Sequence, residues 1–170
     1  AIDIRRTGTR NPGATNVFKN VGKIAGAGVA IADAAKGAAA VSIGLAAGLG
    51  PIAAIWPGVA AVLGHDFSPF LRFRGGKGGA TTLGFLACYL LPELLVVFLT
   101  WMVFALAVRK HLFVASLFAL SLLPFWVWIL EWSWPIPLLD PRPMIWVSSA
   151  MILLMWFRIL PGLRERSRRG

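Results

Sequence analysis

The polar chemistry of this sequence is concentrated between Gly64 and Thr82, GHDFSPFLRFRGGKGGATT, where five glycines surround His65, Asp66, Arg72, Arg74 and Lys77. Backbone amides in a glycine-rich turn approach an anion without side-chain obstruction, and a helix that starts directly afterwards adds the positive end of its dipole. Gly75, Gly76 and Gly78 supply such amides, Lys77 a point charge, and Arg74 and Arg72 forked donors, so the run reads as a phosphate cradle. The competing reading is a basic loop that follows the charge rule of membrane topology. A Walker A loop is excluded, because the glycine it needs would fall on Leu71. His65 has the right chemistry for a general base if a carboxylate or carbonyl orients its ring; the plainer alternative is a hydrogen-bonding residue at a helix end. The HxxxxD pattern of one class of acyltransferases is absent, since the fifth residue after His65 is Phe70.

A second polar stretch comes earlier. In TRNPGATN, Asn11, Pro12 and Gly13 form a tight turn, Thr9, Thr15 and Asn16 carry groups that orient a polyol or phosphate, and Arg10 and Lys19 add charge. By itself the stretch can equally be an ordered turn. Asp33 and Lys36 lie three apart inside an apolar run, hence on one helical face, where an ion pair shares the cost of burial. They are either functional or a structural pair that orients the helix. The single cysteine, Cys88, sits in an apolar run and reads as an inert buried thiol, and no cysteine or histidine spacing suits a metal.

The elements that must hold these residues are membrane helices. The chain has 170 residues, of which 58% are hydrophobic and 14% charged, and its mean hydropathy is +0.74. That composition excludes an ordinary soluble globule. The expected fold is all-α: one polytopic bundle over residues 1–170, with about six membrane helices, some of them short, and motif-bearing loops at the cytoplasmic side. Residues 1–23 form an aqueous loop without a cleavable signal. Spans follow at 24–49 and 52–63. The run from Ala80 to Val108 is interrupted by Pro92 and Glu93 and predicts two helices, 80–91 and 93–108. A span at 112–130 and a last helix at 144–157 complete the set.

The formal charge of +10 is distributed as topology, not as a nucleic-acid footprint. Placing loops alternately on two sides leaves only Arg142 opposite the basic side, and by the positive-inside rule the basic side is the cytoplasm. Trp132 and Trp134 in the opposite loop suit the membrane interface, while Trp126 and Trp128 read as packing or lipid-facing residues.

In order, DIRRTGTRNPGATNVFK, DAAKG, GHDFSPFLRFRGGKGGATTLG and VRKHLFVAS resemble the bacterial acyl-phosphate:glycerol-3-phosphate acyltransferases from Asp3 to about Ser116. The resemblance implies an inner-membrane enzyme of phospholipid biosynthesis that transfers a fatty acyl group from acyl phosphate to glycerol 3-phosphate, giving lysophosphatidic acid, with no metal or organic cofactor. It implies catalytic roles for Thr9, His65 and Lys77, and substrate binding by Arg10, Asn11, Thr15, Asn16, Lys19, Arg74, Gly75, Gly76 and Gly78. The base is either a substrate phosphate oxygen or His65. Thr9, Lys19 and Arg74 stand where the family has serine, arginine and lysine. A helix that precedes the first motif in the family has no counterpart before Ala1, and the His and Asn of its third motif have none in FRILPGLRERSRRG. These departures suggest an alternative: a catalytically impaired relative acting as a subunit of a larger membrane complex, with a partner helix in place of the absent one. In both readings membrane lipids surround the chain.

Overall fold

The computed structural model describes the backbone of residues 2–107, 112–133 and 141–167. Among the described residues the regular structure is helical: α1 (Ala14–Asn20), α2 (Lys23–Ala46), α3 (Ile55–Asp66), α4 (Gly79–Ala87), α5 (Leu91–Ala107), α6 (Leu112–Ser121), α7 (Leu123–Ser133) and α8 (Pro141–Ser167), with one 3₁₀ turn at Pro69–Leu71. The chain divides into two compact units, residues 1–85 with 155–170, and residues 86–154.

The first unit is built on α2. Its 24 residues are rich in alanine, the best helix former, and at 1.5 Å per residue reach about 36 Å, enough to cross a bilayer core. Gly26, Gly37, Val41 and Gly44 form its buried face, whereas Ile24, Ile31 and Ile43 are exposed. Water drives little association inside a membrane, so helices there pack through small residues that let backbones approach. A Cβ on Gly37 would overlap the carbonyl of Thr81 in α4, and one on Gly84 would overlap the carbonyl of Ala34 in α2. The two helices therefore meet backbone to backbone. The fully buried Phe85 ring lies on Gly58 of α3, which leaves no room for a side chain there. On the other end of α2, Gly26 lies against the backbone of Phe18 in α1.

Helix α3 corrects the sequence expectation. The span expected to stop at Leu63 continues to Asp66, which puts His65 and Asp66 in its last helical turn. Phe67 then closes the helix through its amide to the Leu63 carbonyl.

In the second unit α5 packs against α6 and α7. The interruption expected at Pro92 is present, but the break falls at 88–90, and Pro92 sits in the first turn of α5, where its missing N–H costs nothing. Cys88 lies in this break and is exposed, not buried as its apolar neighbours suggested. The single span expected over 112–130 is two helices. Pro124 in the first turn of α7 cannot donate to the Leu120 carbonyl, and the Leu122 amide turns instead to Ala119 at 3.2 Å. Trp126 packs edge-on to Phe125 while Trp128 is exposed, as lipid-facing and packing residues would be. The expected loop around Trp134 and the RKH turn, including His111, fall outside the described residues.

The last helix begins at Pro141 and runs through Ser167, well past the expected end at Phe157. Residues 143–160 within it have the length and hydropathy of a membrane span. Its extension carries Arg158, read from sequence as part of a basic tail, into the first unit.

Candidate active site

The first motif loop folds around one side chain. Asn16 is buried, and its Nδ2 hydrogens are shared among the carbonyls of Ile4 (3.1 Å), Thr7 (2.9 Å) and Asn11 (2.9 Å). Its Oδ1 accepts from the Thr9 amide (2.9 Å) and from Asn20 Nδ2 (2.9 Å). Asn11 Oδ1 accepts from the Gly13 amide at 2.7 Å. Asn16, expected to bind substrate, is thus fully committed to shaping the loop; the correction follows from its two polar atoms having only so many hydrogen bonds to give. Gly8 adopts φ +58° with Asn16 and Asn20 packed where a Cβ would stand. Around this frame Thr9, Arg10, Thr15 and Lys19 are exposed. At the loop's start the hydrogen bond from the Arg5 guanidinium holds the Asp3 carboxyl below its ordinary range.

The second motif loop doubles back on the end of α3. The Gly75 amide donates to the Asp66 carbonyl and the Gly76 amide to the His65 carbonyl, both at 3.1 Å. Between them Arg72 and Phe73 turn the chain with φ of 51° and 60°. The expected nest of amides is corrected here: the N–H groups of Gly75 and Gly76 are spent inside the chain and are not offered to an anion. What these glycines provide is closeness. A Cβ on Gly75 would overlap the His65 carbonyl, and one on Gly76 would overlap the His65 imidazole at Nε2. Gly78, at φ +68°, brings the backbone against the Asp66 carboxylate one residue before α4 begins.

Arg158 locks this turn from α8. Its Nη2 donates to the carbonyls of Asp66 and Gly76, each at 2.9 Å, and the guanidinium lies 5.0 Å above the Phe67 ring. Its Nε is 4.0 Å from Oδ2 of Asp66, whose side chain is buried. The buried carboxylate thus keeps a cation beside it. Nothing in the local sequence signalled this contact, because it joins segments far apart in the chain.

The clearest convergence is at His65. Lys36 Nζ is 2.7 Å from Asp33 Oδ1 and 2.6 Å from His65 Nδ1, and the same Asp33 oxygen is 3.4 Å from Nδ1. The i, i+3 pair anticipated in α2 is formed, and α3 brings the imidazole to it. The three side chains face a cavity of about 330 Å³ whose wall also includes Pro12 of the first loop, Ser68, Leu71 and Gly76 of the second, and Val29 and Ala61. Of the residues expected at the site, His65 and Gly76 line this cavity; Lys77 is half-buried next to Gly76, Arg74 is exposed, and Thr9 on the first loop and Lys19 on α1 stand outside the cavity lining. No group of three or more His, Cys, Asp or Glu suited to a metal occurs among the described residues.

An all-helical membrane protein with two polar motif loops meeting at a charged cavity is the class that this fold and site define. The chain belongs to the glycerol-3-phosphate acyltransferase family, whose family model matches residues 1–165. A glycerol-3-phosphate acyltransferase of Haemophilus ducreyi is 38% identical over 139 residues, which are 81% of this chain and 69% of that protein. The crystal structure of PlsY (YgiH), an integral membrane glycerol 3-phosphate acyltransferase, in its glycerol 3-phosphate form superposes with a TM-score of 0.81 at 27% identity, covering 99% of this chain and 80% of that one. Its lysophosphatidic acid form gives 0.77 at 26% identity, covering 95% and 78%. Neither an assembly subunit nor a partner helix finds support among these relatives.

Proposed function

We propose that this protein transfers a fatty acyl group to the 1-hydroxyl of glycerol 3-phosphate, giving lysophosphatidic acid, with acyl phosphate as the donor. The observation that carries this reading is the cavity to which both motif loops contribute, Pro12 from the first and Gly76 from the second, beside His65 of α3, in a chain of this family. Both substrates are phosphate anions; the Lys36 charge is balanced by Asp33, and Lys77 and Arg10 supply positive charge from the adjoining loops.

The hydroxyl oxygen attacks the acyl carbonyl carbon, an ester C–O bond forms, and the acyl C–O bond to phosphorus breaks. The phosphate leaves with the electron pair and receives the hydroxyl proton. Acyl phosphate is already activated, so the protein's task is positioning and charge stabilisation. Lys77 and Arg74 hold the donor phosphate beside the turn formed by Gly75, Gly76 and Gly78. Thr9, Arg10, Asn11, Thr15 and Lys19 hold glycerol 3-phosphate. Lys36, which can only donate, occupies Nδ1 of His65, and Gly76 covers Nε2, which leaves a substrate phosphate oxygen as the base. The acyl chain stays in the bilayer. By the distribution of Lys and Arg the site opens to the cytoplasm, and the membrane is the bacterial inner membrane.

Purified protein given acyl phosphate and glycerol 3-phosphate is expected to release phosphate and lysophosphatidic acid in equal amounts, and Lys77→Ala to abolish both. Absence of product from a folded preparation would overturn the assignment.

A further inference from the structure

Charged residues in the middle of a membrane helix are expensive, and α2 carries two, Asp33 and Lys36, in a segment that between Lys23 and Ala46 is otherwise alanine, glycine and aliphatic residues apart from Ser42. A pair placed only to neutralise itself would be complete with the 2.7 Å contact between them. It is not closed on itself: Lys36 Nζ also reaches Nδ1 of His65, 29 residues further along the chain. The imidazole is fixed on its other side as well, since Gly76 leaves space for the ring edge carrying Nε2 and for nothing larger. Two sides of the ring are therefore set by separate elements, α2 and the glycine loop, and the cavity lies alongside.

We propose that Asp33 and Lys36 are positioning residues that hold His65 at the cavity wall as a neutral ring with its proton on Nε2, the edge seated against Gly76. Asp33 orients the Lys36 ammonium, the ammonium occupies Nδ1, and the proton is left on Nε2. Without Lys36, the Asp33 oxygen at 3.4 Å is the nearest partner for Nδ1, which would draw the proton to Nδ1 and present a bare Nε2. One charge pair thus decides which ring nitrogen carries the proton. The charged groups acting on the ring are Asp33 and Lys36 from α2 and Arg158 from α8, with Asp66 beside it on α3. The effect on turnover rests on the acyltransferase reading; the tautomer does not, and the two are tested separately.

The sequence has two histidines, so His111→Gln leaves His65 alone and its ring nitrogens can be followed in protein labelled with ¹⁵N-histidine. The expected spectrum is a neutral ring protonated on Nε2, which Lys36→Met converts to the Nδ1-protonated form or to a mixture. A ring already protonated on Nδ1, or a spectrum indifferent to Lys36→Met, would overturn the proposal whether or not the protein turns over substrate. In the acyltransfer assay the acid limb of kcat/KM is expected to move up by about one unit in Lys36→Met, which removes a cation beside the ring, and down by a similar amount in the isosteric Asp33→Asn, which removes an anion. Loss of rate in both variants with the limb unmoved would mean that the pair only supports the fold, and would sink the positioning role. Product formation that fails in the unsubstituted protein would remove the acyltransferase reading and leave the tautomer result standing.

Discussion

A single methyl group is enough to ask whether His65 is held by shape. Gly76→Ala would place a Cβ inside the imidazole, and because the Gly76 amide is bonded to the His65 carbonyl, the backbone cannot retreat without breaking that bond. The ring must turn away from Lys36. A displacement of this kind is expected to lower kcat/KM on the order of a hundredfold, together with a lower unfolding temperature in detergent from the overpacking; activity within a factor of two of the unsubstituted protein would show that the ring position is immaterial. At this scale the sequence displayed the right residue types, and the three-residue spacing of Asp33 and Lys36 was enough to foresee their contact. What it hid were the uses of hydrogen bonds. The Asn16 amide and the Gly75 and Gly76 N–H groups look available for a ligand when only residue types are read, and each is occupied by a carbonyl that the chain brings in from elsewhere.

Between elements, the decisive contact is the crossing of α2 and α4. Gly37 and Gly84 allow it, and neither has a positive φ that would explain its being glycine; both are there for approach. Gly84→Val is expected to push α4 off the Ala34 carbonyl at a cost on the order of 2 kcal/mol, seen as a lower unfolding temperature in detergent, whereas valine at Gly28, where nothing lies within 4 Å, should be tolerated. Equal effects at the two positions would remove close packing as the reason for glycine at 84. Helix existence was readable from apolar runs and prolines, since Pro92 and Pro124 act locally. The ends were harder: α3 continues past Leu63 because the polar His65 and Asp66 are taken up by partners on other helices, and α8 continues past Phe157 for the same reason at Arg158.

For the molecule as a whole, the distribution of basic residues predicts one orientation in the bilayer. With Cys88 replaced by serine, a cysteine introduced as Leu138→Cys is expected to react with a membrane-impermeant maleimide on intact cells, and Arg6→Cys only after the membrane is opened. The opposite pattern would invert the topology and put both motif loops outside the cytoplasm. Family membership was legible because the two motif loops keep their order and separation in the chain; how the C-terminal helix serves the site was not, because Arg158 acts on backbone carbonyls, which every residue has and no sequence pattern marks. That link also sets an order in time. Arg158 is made 92 residues after Asp66 and 82 after Gly76, and synthesis runs from the N-terminus. While the ribosome is still working on the intervening segments, the glycine turn lacks the guanidinium that bridges its two ends. The nascent chain therefore carries both motifs before it has the guanidinium that ties the turn, and the turn is bridged only once Arg158 of α8 has been made.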